Sequence, residues 1–215
     1  MLPHSPEERR FPMFAEGTSS RSLRIGLSSL ATAGVFLAGV TPATAASSPS
    51  VTPGSELTAL VGLAAERILL ADKVAAAKFG TGAPIEDPTR EQQVLDQAKA
   101  LAVEAGLDTG GTVDFFRAQI EMSKVVQQGL YDQWTEHPDQ APTERPDLAT
   151  EVRPELDRIT AEFIDQLVAT RKLRGGTLRC HVALVRAEKT ADHQYDLDRL
   201  HERALWGAIK PVCTG

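Results

Sequence analysis

The sequence predicts an all-α protein, a single-domain bundle of about six helices. Three observations carry this prediction. After residue 46, no stretch alternates polar and apolar residues for long enough to form a sheet. Apolar residues recur instead at helical spacing, as Leu60, Leu63 and Leu70 do. Helical segments also begin at capping signals, of which the Asp87-Pro88 pair is the clearest.

The N-terminal segment has the pattern of a signal peptide. Arg21 and Arg24 precede an apolar run, Ile25 to Val40, and Ala43-Thr44-Ala45 provides a small-residue cleavage site, so cleavage is expected near Ala45. The apolar run is short and interrupted by Ser and Thr, which disfavours a retained membrane anchor. Met13 is an alternative translation start. The predicted organisation is a leader at 1–46, a flexible N-terminus at 47–54 and a helical domain at 55–215.

The remaining chain is acidic. Of 23 basic and 29 acidic residues, the leader holds four arginines and three glutamates, which leaves 19 basic and 26 acidic residues and a formal charge of −7. About 170 residues are enough for one domain with a proper core. With this charge and no basic run, nucleic acid is not expected as a partner.

The first helix, predicted over residues 55–79, carries two basic residues within its apolar stripe. Arg67 and Lys78 are eleven residues apart, close to three turns, so they point the same way about 16 Å apart along the axis. A single long basic side chain within an apolar stripe can be explained if its charged end extends to water. Two in register favour an acidic partner, because burial of unpaired charge is costly.

The second helix is predicted from Pro88 to about Ala105, with Asp87 as its N-cap. Arg90 then falls in the first turn, where a cation is unfavourable and a bound anion would explain it. A third helix is predicted from Thr112 to Glu136. Its core-facing side carries Ser123 and Gln127, an i,i+4 pair whose members either bond to one another and to neighbouring helices or face a cavity.

Three more helices are predicted after the Pro-rich loop at 137–146. The fourth starts near residue 147 or 150 and carries Arg153 in its first turn, on the stripe that faces the core. Gly175-Gly176 ends this segment, and the last two helices are predicted over 177–188 and 192–208.

The sequence predicts neither a catalytic nor a metal-binding role for the cysteines and histidines. An even cysteine count in an exported chain predicts a Cys180–Cys213 disulfide, with two free buried thiols as the alternative. Two cysteines without a histidine pair at ligand spacing make a zinc site improbable, and no metal or cofactor is expected. The histidines of the domain are expected to be surface or capping residues: His137, His181, His193 and His201.

The inward-facing polar residues contain no nucleophile and base pair, because Ser123 has no histidine at helical spacing. What they offer is three guanidiniums, an ammonium and an amide directed into one bundle. Guanidinium groups bind carboxylates bidentately, so this set predicts a pocket for a small, multiply charged acid, with phosphate as the competing ligand. The members are Arg67, Lys78, Arg90, Ser123, Gln127 and Arg153.

Several motifs resemble the all-helical, type II chorismate mutases, and their exported subclass in particular. These are the runs AAERILLADKVAAAKF and PIEDPTREQQVLD, the Ser123 and Gln127 pair, and the phrase VRPELDRIT. The spacing from Arg67 through Lys78 and Asp87 to Arg90 is the most specific part. The helices after residue 175, with their two cysteines, resemble the exported subclass, and the resemblance covers nearly the whole chain beyond the leader.

The resemblance implies a chorismate mutase, which converts the dicarboxylate chorismate to prephenate by a concerted pericyclic shift without a covalent intermediate, metal or cofactor. Such an enzyme must fold the substrate and stabilise charge on the breaking ether oxygen. It also implies a homodimer with each active site inside one chain. The implied roles are side-chain carboxylate binding by Arg67 and Arg153, ring carboxylate binding by Arg90 and Ser123, donation to the ether oxygen by Lys78 and Gln127, and ring hydroxyl binding by the Asp87 backbone and Glu91.

Two positions depart from the family pattern. Some relatives carry Glu where this chain has Gln127, and a Glu must be protonated to donate a hydrogen bond. The alignment at Arg153 crosses the Pro-rich loop with a one-residue shift, so Arg158 is the alternative cation.

Two other functions compete with catalysis. The chain could be an exported helical protein that binds an aromatic or dicarboxylic acid without converting it. It could also be a purely structural bundle, which would require the inward cations to be matched by protein carboxylates, for which Glu91 and Glu121 are the candidates at core positions.

Overall fold

The computed structural model describes residues 56–214, which lie in a compact unit spanning Ser47–Gly215. Across residues 56–214 the secondary structure is helical without a strand, which confirms the all-α prediction. The predicted leader, its cleavage site near Ala45 and the segment 47–54 lie outside the described residues. The helices are α1 (Thr58–Lys78), α2 (Pro88–Glu104), α3 (Thr109–Glu136), α4 (Arg153–Ala169), α5 (Leu178–Tyr195) and α6 (Arg199–Ile209).

Helix α1 is the centre of the bundle, because it packs against α3, α4, α5 and α6. Its buried face includes Leu60 and Ile68, both fully buried. Phe115 and Phe116 of α3 meet Phe163 of α4 edge to face, with ring centroids 4.9 and 5.7 Å apart. Each such large apolar side chain contributes about 1.5–3 kcal/mol on burial. This packing fixes α1, α3 and α4 relative to one another.

Local capping sets most helix starts. Asp87 accepts a hydrogen bond from the Arg90 backbone N at 3.0 Å and begins α2 at Pro88, as predicted. Helix α3 begins at Thr109, three residues before the predicted start, because Asp108 caps it. A π-helical turn, Leu148–Val152, leads into α4, whose first turn contains Pro154.

The predicted division between the last two helices is wrong by several residues. Helix α5 continues to Tyr195 and ends at Asp196, whose backbone adopts the left-handed conformation with φ of 48°. Helix α6 begins at Arg199 because Asp198 caps it, accepting from the backbone N of Leu200. A run of helix-forming residues hid this boundary, since neither Gly nor Pro marks it.

The predicted disulfide is present. Cys180 at the start of α5 is bonded to Cys213 in the 3-10 turn Lys210–Cys213, with Cα atoms 5.8 Å apart. The bond closes a loop with a sequence separation of 33 and ties the C-terminal turn to α5. Closure of such a loop stabilises the fold by about 3–4 kcal/mol in the chain-entropy description. Within residues 56–214, no helix has the length and apolar character needed to cross a membrane.

The expectation that every histidine is a surface or capping residue is wrong for His201. Its side chain is only 5% exposed. Its Nδ1 lies 2.7 Å from Asp198 Oδ1 and its Nε2 lies 2.8 Å from Asp72 Oδ1. These contacts join α6 to α1, because Asp72 belongs to α1. A partner 129 residues away along the chain leaves no local pattern in the sequence.

Candidate active site

Helices α1 to α4 and the connection before α2 surround a hollow of about 650 Å³, a volume that includes its open mouth. Six of the eight predicted site residues line it, and Lys78 and Arg153 do not. Its lining is Arg67, Val74, Ile85, Asp87, Arg90, Glu91, Val94, Ile120, Ser123, Lys124, Gln127, Leu156, Asp157 and Thr160.

Arg67 is the most deeply buried charge in this lining, with 6% of the residue exposed. Within residues 56–214, its Nε atom has no hydrogen-bond partner and no carboxylate lies within ion-pairing distance of its guanidinium. Burial lowers the pKa of Arg67 to about 10, with a further lowering by Arg90 and an opposing effect of Asp157. The group therefore remains cationic at neutral pH, and its charge is left for a ligand to match.

Arg90 lies on α2 opposite Arg67 across the lining. Its Nη2 is 3.6 Å from Asp157 Oδ1, and its Nη1 donates weakly to Gln93 Oε1 at 3.4 Å. The side chains of Arg90 and Asp157 are 37% and 57% exposed, so this ion pair is largely solvated. An anion that enters the hollow can replace Asp157 at the guanidinium at little cost.

The start of α2 forms a rigid edge of the hollow. Asp87 caps the helix, and Glu91 reaches back so that its Oε1 accepts from the Asp87 backbone N at 3.2 Å. The other oxygen, Glu91 Oε2, accepts from Lys124 Nζ at 3.2 Å. The lining has three basic and three acidic residues, but these two carboxylates are already bonded within the protein. The positive charge of Arg67 is consequently not cancelled by them.

Ser123 and Gln127 lie one turn apart on α3 and face the hollow together, as predicted. Gln127 is 4% exposed, and its Nε2 donates to Ser123 Oγ at 3.3 Å and to the Ser123 carbonyl at 3.2 Å. Gln127 Oε1 is buried without a partner among the described residues. Rotation of the amide by 180° exchanges its two ends, so either a donor or an acceptor can occupy the unpartnered position.

Lys78 lies at the edge of the hollow and is not part of its lining. Its Nζ donates to the carbonyls of Pro84 and Ile85, each at 3.0 Å, and so holds the connection between α1 and α2. Ile85 does line the hollow. Burial lowers the pKa of Lys78, opposed by Asp87 and Glu91. One of three ammonium protons remains for a ligand.

The predicted inward direction of Arg153 is wrong: the residue is exposed at the start of α4 and outside the lining. Thr160 and Ile164 of the same stripe are buried, so the difference is that Arg153 is the first residue of α4, where its long side chain extends into solvent. Arg158, the alternative, is also outside the lining. It pairs instead with Glu66 at 2.8 Å, Glu162 at 2.9 Å and Glu155 at 3.0 Å, and these contacts raise its pKa, that with Glu66 most.

Sequence reasoning missed two charged residues of the lining, Lys124 and Asp157. Lys124 follows the chosen Ser123 and occurs four residues after Ile120, so helical spacing would have found it. Asp157 directly follows Leu156, a residue of the α4 stripe. No pattern within α4 distinguishes it from the exposed carboxylates around it.

None of the fourteen lining residues is histidine or cysteine, so the lining does not contain a Ser–His or Cys–His pair. It offers fixed guanidiniums, an amide and backbone caps, which act by binding charge and orienting a ligand. The fold and this site define an all-helical protein with a hollow between α1, α2, α3 and α4 whose basic side chains suit a small acidic ligand.

Comparison with known proteins identifies the family. Residues 58–128 match the family described as chorismate mutase type II. The secreted chorismate mutase of Mycolicibacterium smegmatis is 42% identical over 89 residues, 41% of this chain and 49% of that protein. The secreted chorismate mutase of Mycobacterium tuberculosis is 29% identical over 159 residues, 74% of this chain and 79% of that protein.

A solved structure extends the match to most of the domain. The crystal structure of a chorismate mutase from Burkholderia phymatum superposes with a TM-score of 0.72 at 34% identity, covering 76% of this chain and 99% of that chain. The chain belongs to the type II chorismate mutase family. The resemblance noted in the sequence motifs is thereby confirmed. The chain spans about half the length of the M. smegmatis relative in their alignment.

Proposed function

We propose that this protein is a chorismate mutase that rearranges chorismate to prephenate by orienting the substrate and stabilising charge, without a covalent intermediate. The observation that carries this proposal is Arg67, a buried guanidinium on the wall of the hollow whose Nε has no partner among the described residues. A purely structural bundle would match this cation with a carboxylate. A dianionic substrate would supply the missing partner of the Arg67 guanidinium.

The carboxylates of chorismate would be bound by guanidiniums. We assign the side-chain carboxylate to Arg67 and the ring carboxylate to Arg90, with Ser123 as a second contact. The weak, solvated pair between Arg90 and Asp157 supports this assignment, because a ligand carboxylate can displace Asp157. Arg153 remains a proposed second contact for the side-chain carboxylate, reaching over the mouth from the start of α4.

The breaking ether oxygen needs hydrogen-bond donors, and we assign Lys78 and Gln127 to it. Lys78 retains one proton beyond its two bonds to the α1–α2 connection. With its amide rotated, Gln127 accepts from Ser123 Oγ, gives up its hydrogen bond to the Ser123 carbonyl and turns its NH₂ group to the unpartnered position. Donors fixed in this way need no reorganisation as negative charge develops on the oxygen.

The ring hydroxyl would bind at the start of α2. The carboxylate of Glu91 has about four acceptor positions, of which two are used by the Asp87 backbone N and by Lys124. A free position can accept from the hydroxyl, while the Asp87 backbone provides a second contact. This assignment places the ring of chorismate between α2 and α3.

The direct test follows the ultraviolet absorbance of chorismate after addition of the purified domain. We expect absorbance to fall with enzyme-dependent kinetics, and Lys78→Ala to lower kcat by about a hundredfold to a thousandfold. Lys73→Ala is the matched control, an exposed lysine of the same helix. Binding of chorismate without turnover would favour the non-catalytic binding protein. The absence of both binding and turnover would refute the assignment of the hollow to this substrate.

We also propose that the protein acts outside the cytoplasm, as the secreted relatives do by their names. A structural disulfide supports this, because such bonds persist in oxidising compartments. N-terminal sequencing of the protein recovered from the periplasm or culture medium tests it. We expect a mature N-terminus just after Ala45; an intact leader on the recovered protein would contradict the proposed cleavage.

A homodimer with independent active sites is proposed from the resemblance to the exported subclass. Six of the eight predicted site residues line a single hollow within α1 to α3, which supports independent sites. Sedimentation equilibrium tests the proposal, with twice the chain mass expected at micromolar concentration. A monomer that retains full activity would contradict the dimer without affecting the assigned chemistry.

A further inference from the structure

Lys124 lies in the wall of the hollow and has no role in the function proposed above. Its Nζ is 2.9 Å from Glu121 Oε1 and 3.2 Å from Glu91 Oε2, and its side chain is 18% exposed. These contacts raise the pKa of Lys124, that with Glu121 most. The ammonium is therefore charged at neutral pH and links the outer surface of α3 to the cavity edge of α2.

The contact with Lys124 completes the fixation of the Glu91 carboxylate. Glu91 Oε1 accepts from the Asp87 backbone N at 3.2 Å. Without Lys124, this would be the single contact that holds the carboxylate, and the group could turn about it. A glutamate side chain has several accessible rotamers, and ordering it on ligand binding costs conformational entropy. Two contacts from different helices order it in advance, with unused acceptor positions directed to the site that Glu91 lines.

We propose that Lys124 is a positioning residue that holds Glu91 ready to accept the hydrogen bond of the ring hydroxyl of chorismate. The inference rests on the proposed function. Glu121 in turn holds Lys124 from its opposite side, so that Glu121, Lys124 and Glu91 form a chain of charges that ends at the substrate. Lys124 acts through Glu91 and does not touch the reacting atoms.

A structural role for the same contacts makes different predictions. The pair of Lys124 and Glu91 joins α2 to α3, but buried Leu95 and Ala98 of α2 already pack in the same apolar cluster as Phe116 of α3. A structural tie would change the unfolding midpoint and would affect every ligand of the hollow alike. A positioning role concerns only ligands that carry the ring hydroxyl.

The test compares Lys124→Met, which keeps length and removes charge, with Lys124→Arg, which keeps charge. Each variant is assayed with chorismate and with a chorismate analogue that lacks the ring hydroxyl. Lys73→Met serves as a matched control for loss of an exposed lysine, and thermal unfolding is measured for all variants. Glu91→Gln is combined with Lys124→Met in a double-mutant cycle.

We expect Lys124→Met to raise KM for chorismate roughly 5- to 20-fold with kcat changed less than about twofold, because the hydroxyl contact is equal in the ground and transition states. KM for the analogue should not change, Lys124→Arg should restore most of the affinity, and the double variant should be no worse than Glu91→Gln alone. An equal effect on both ligands, or additive effects in the cycle, would overturn the positioning role. An inactive wild type would instead refute the proposed function itself, and the inference with it.

Discussion

Two buried cations of the bundle are treated in opposite ways. His201 is 5% exposed and both of its ring nitrogens bond to carboxylates, Asp72 of α1 and Asp198. Arg67 of α1 is 6% exposed, and within residues 56–214 its Nε has no partner. Burial of a charge costs free energy that only a partner offsets. The fold supplies that partner for His201, which is a structural site, but supplies none for Arg67 Nε among the described residues.

The largest effect is expected where the cation is unmatched. Arg67→Met should lower kcat/KM roughly a thousandfold, because a substrate carboxylate loses its buried partner. The free energy of unfolding should stay the same or increase, since an uncompensated charge leaves the interior. Steady-state kinetics and urea unfolding measure the two quantities.

Arg67→Lys is the control for this variant, because it keeps the charge and loses the planar guanidinium. We expect it to recover part of the activity. A large loss of stability in Arg67→Met together with near-normal activity would place Arg67 with the structural cations and would remove the main support for the proposed function.

Gln127→Glu should convert a pH-insensitive site into a pH-sensitive one. The wild-type rate is expected to be nearly constant between about pH 5 and 8, because an amide does not titrate and the pKa of Arg67, about 10, lies above this window. Ionised Glu cannot donate to the ether oxygen, so the variant should lose about a hundredfold in kcat at pH 8 and recover towards acid pH. A wild-type rate that changes strongly within this window would contradict the role of Gln127.

His201→Ala tests the other half of the comparison. Removal of the ring leaves two carboxylates facing each other and a cavity between α1 and α6, so the free energy of unfolding should fall by about 2–3 kcal/mol. The value of kcat/KM should remain within about twofold of wild type, since His201 lies outside the hollow. Urea unfolding at pH 6 measures the first quantity. A selective loss of activity would show that the two regions are coupled.

The pH dependence of stability gives a second measure of the matched cation. The bond to Asp72, opposed by burial and aided by Asp198, raises the pKa of His201 to about 9 from its ordinary 6.5. A raised pKa stabilises the fold fully below pH 6.5, and the contribution is lost as the pH rises to 9. Stability should therefore fall by about 2 kcal/mol over this interval, at no more than about 1.4 kcal/mol per unit.

The variant His201→Ala is the control for this dependence. Its unfolding free energy should vary less between pH 6.5 and 9 than that of the wild type, because the group whose pKa is raised is absent. Urea unfolding at several pH values provides the comparison. Equal slopes in the two proteins would show that other groups cause the dependence.

The same contrast explains which parts of the molecule the sequence could predict. Arg67 and the pair of Ser123 and Gln127 were found because the faces of their helices follow a period of 3.6 residues. Asp72, one of the two partners of His201, is 129 residues away along the chain, and no local sequence pattern connects the two residues. The inward direction predicted for Arg153 was wrong for another reason: the stripe of α4 is buried at Thr160 and Ile164, but the first residue of the helix is exposed.

The smallest effects distinguish the two arginines of α4. Arg158 is surrounded by Glu66, Glu155 and Glu162, and its side chain is 42% exposed. Like His201, it is matched by the protein, but in solvent, where ion pairs contribute little. Arg158→Ala should therefore lower the free energy of unfolding by no more than about 1 kcal/mol and leave kcat/KM within about twofold of wild type.

Arg153, exposed at the start of α4, has no ion pair within residues 56–214. If it reaches a substrate carboxylate over the mouth of the hollow, Arg153→Ala should lower kcat/KM roughly tenfold without changing stability. The opposite ranking, with Arg158→Ala the less active variant, would mean that Arg158 leaves its three carboxylates for the substrate.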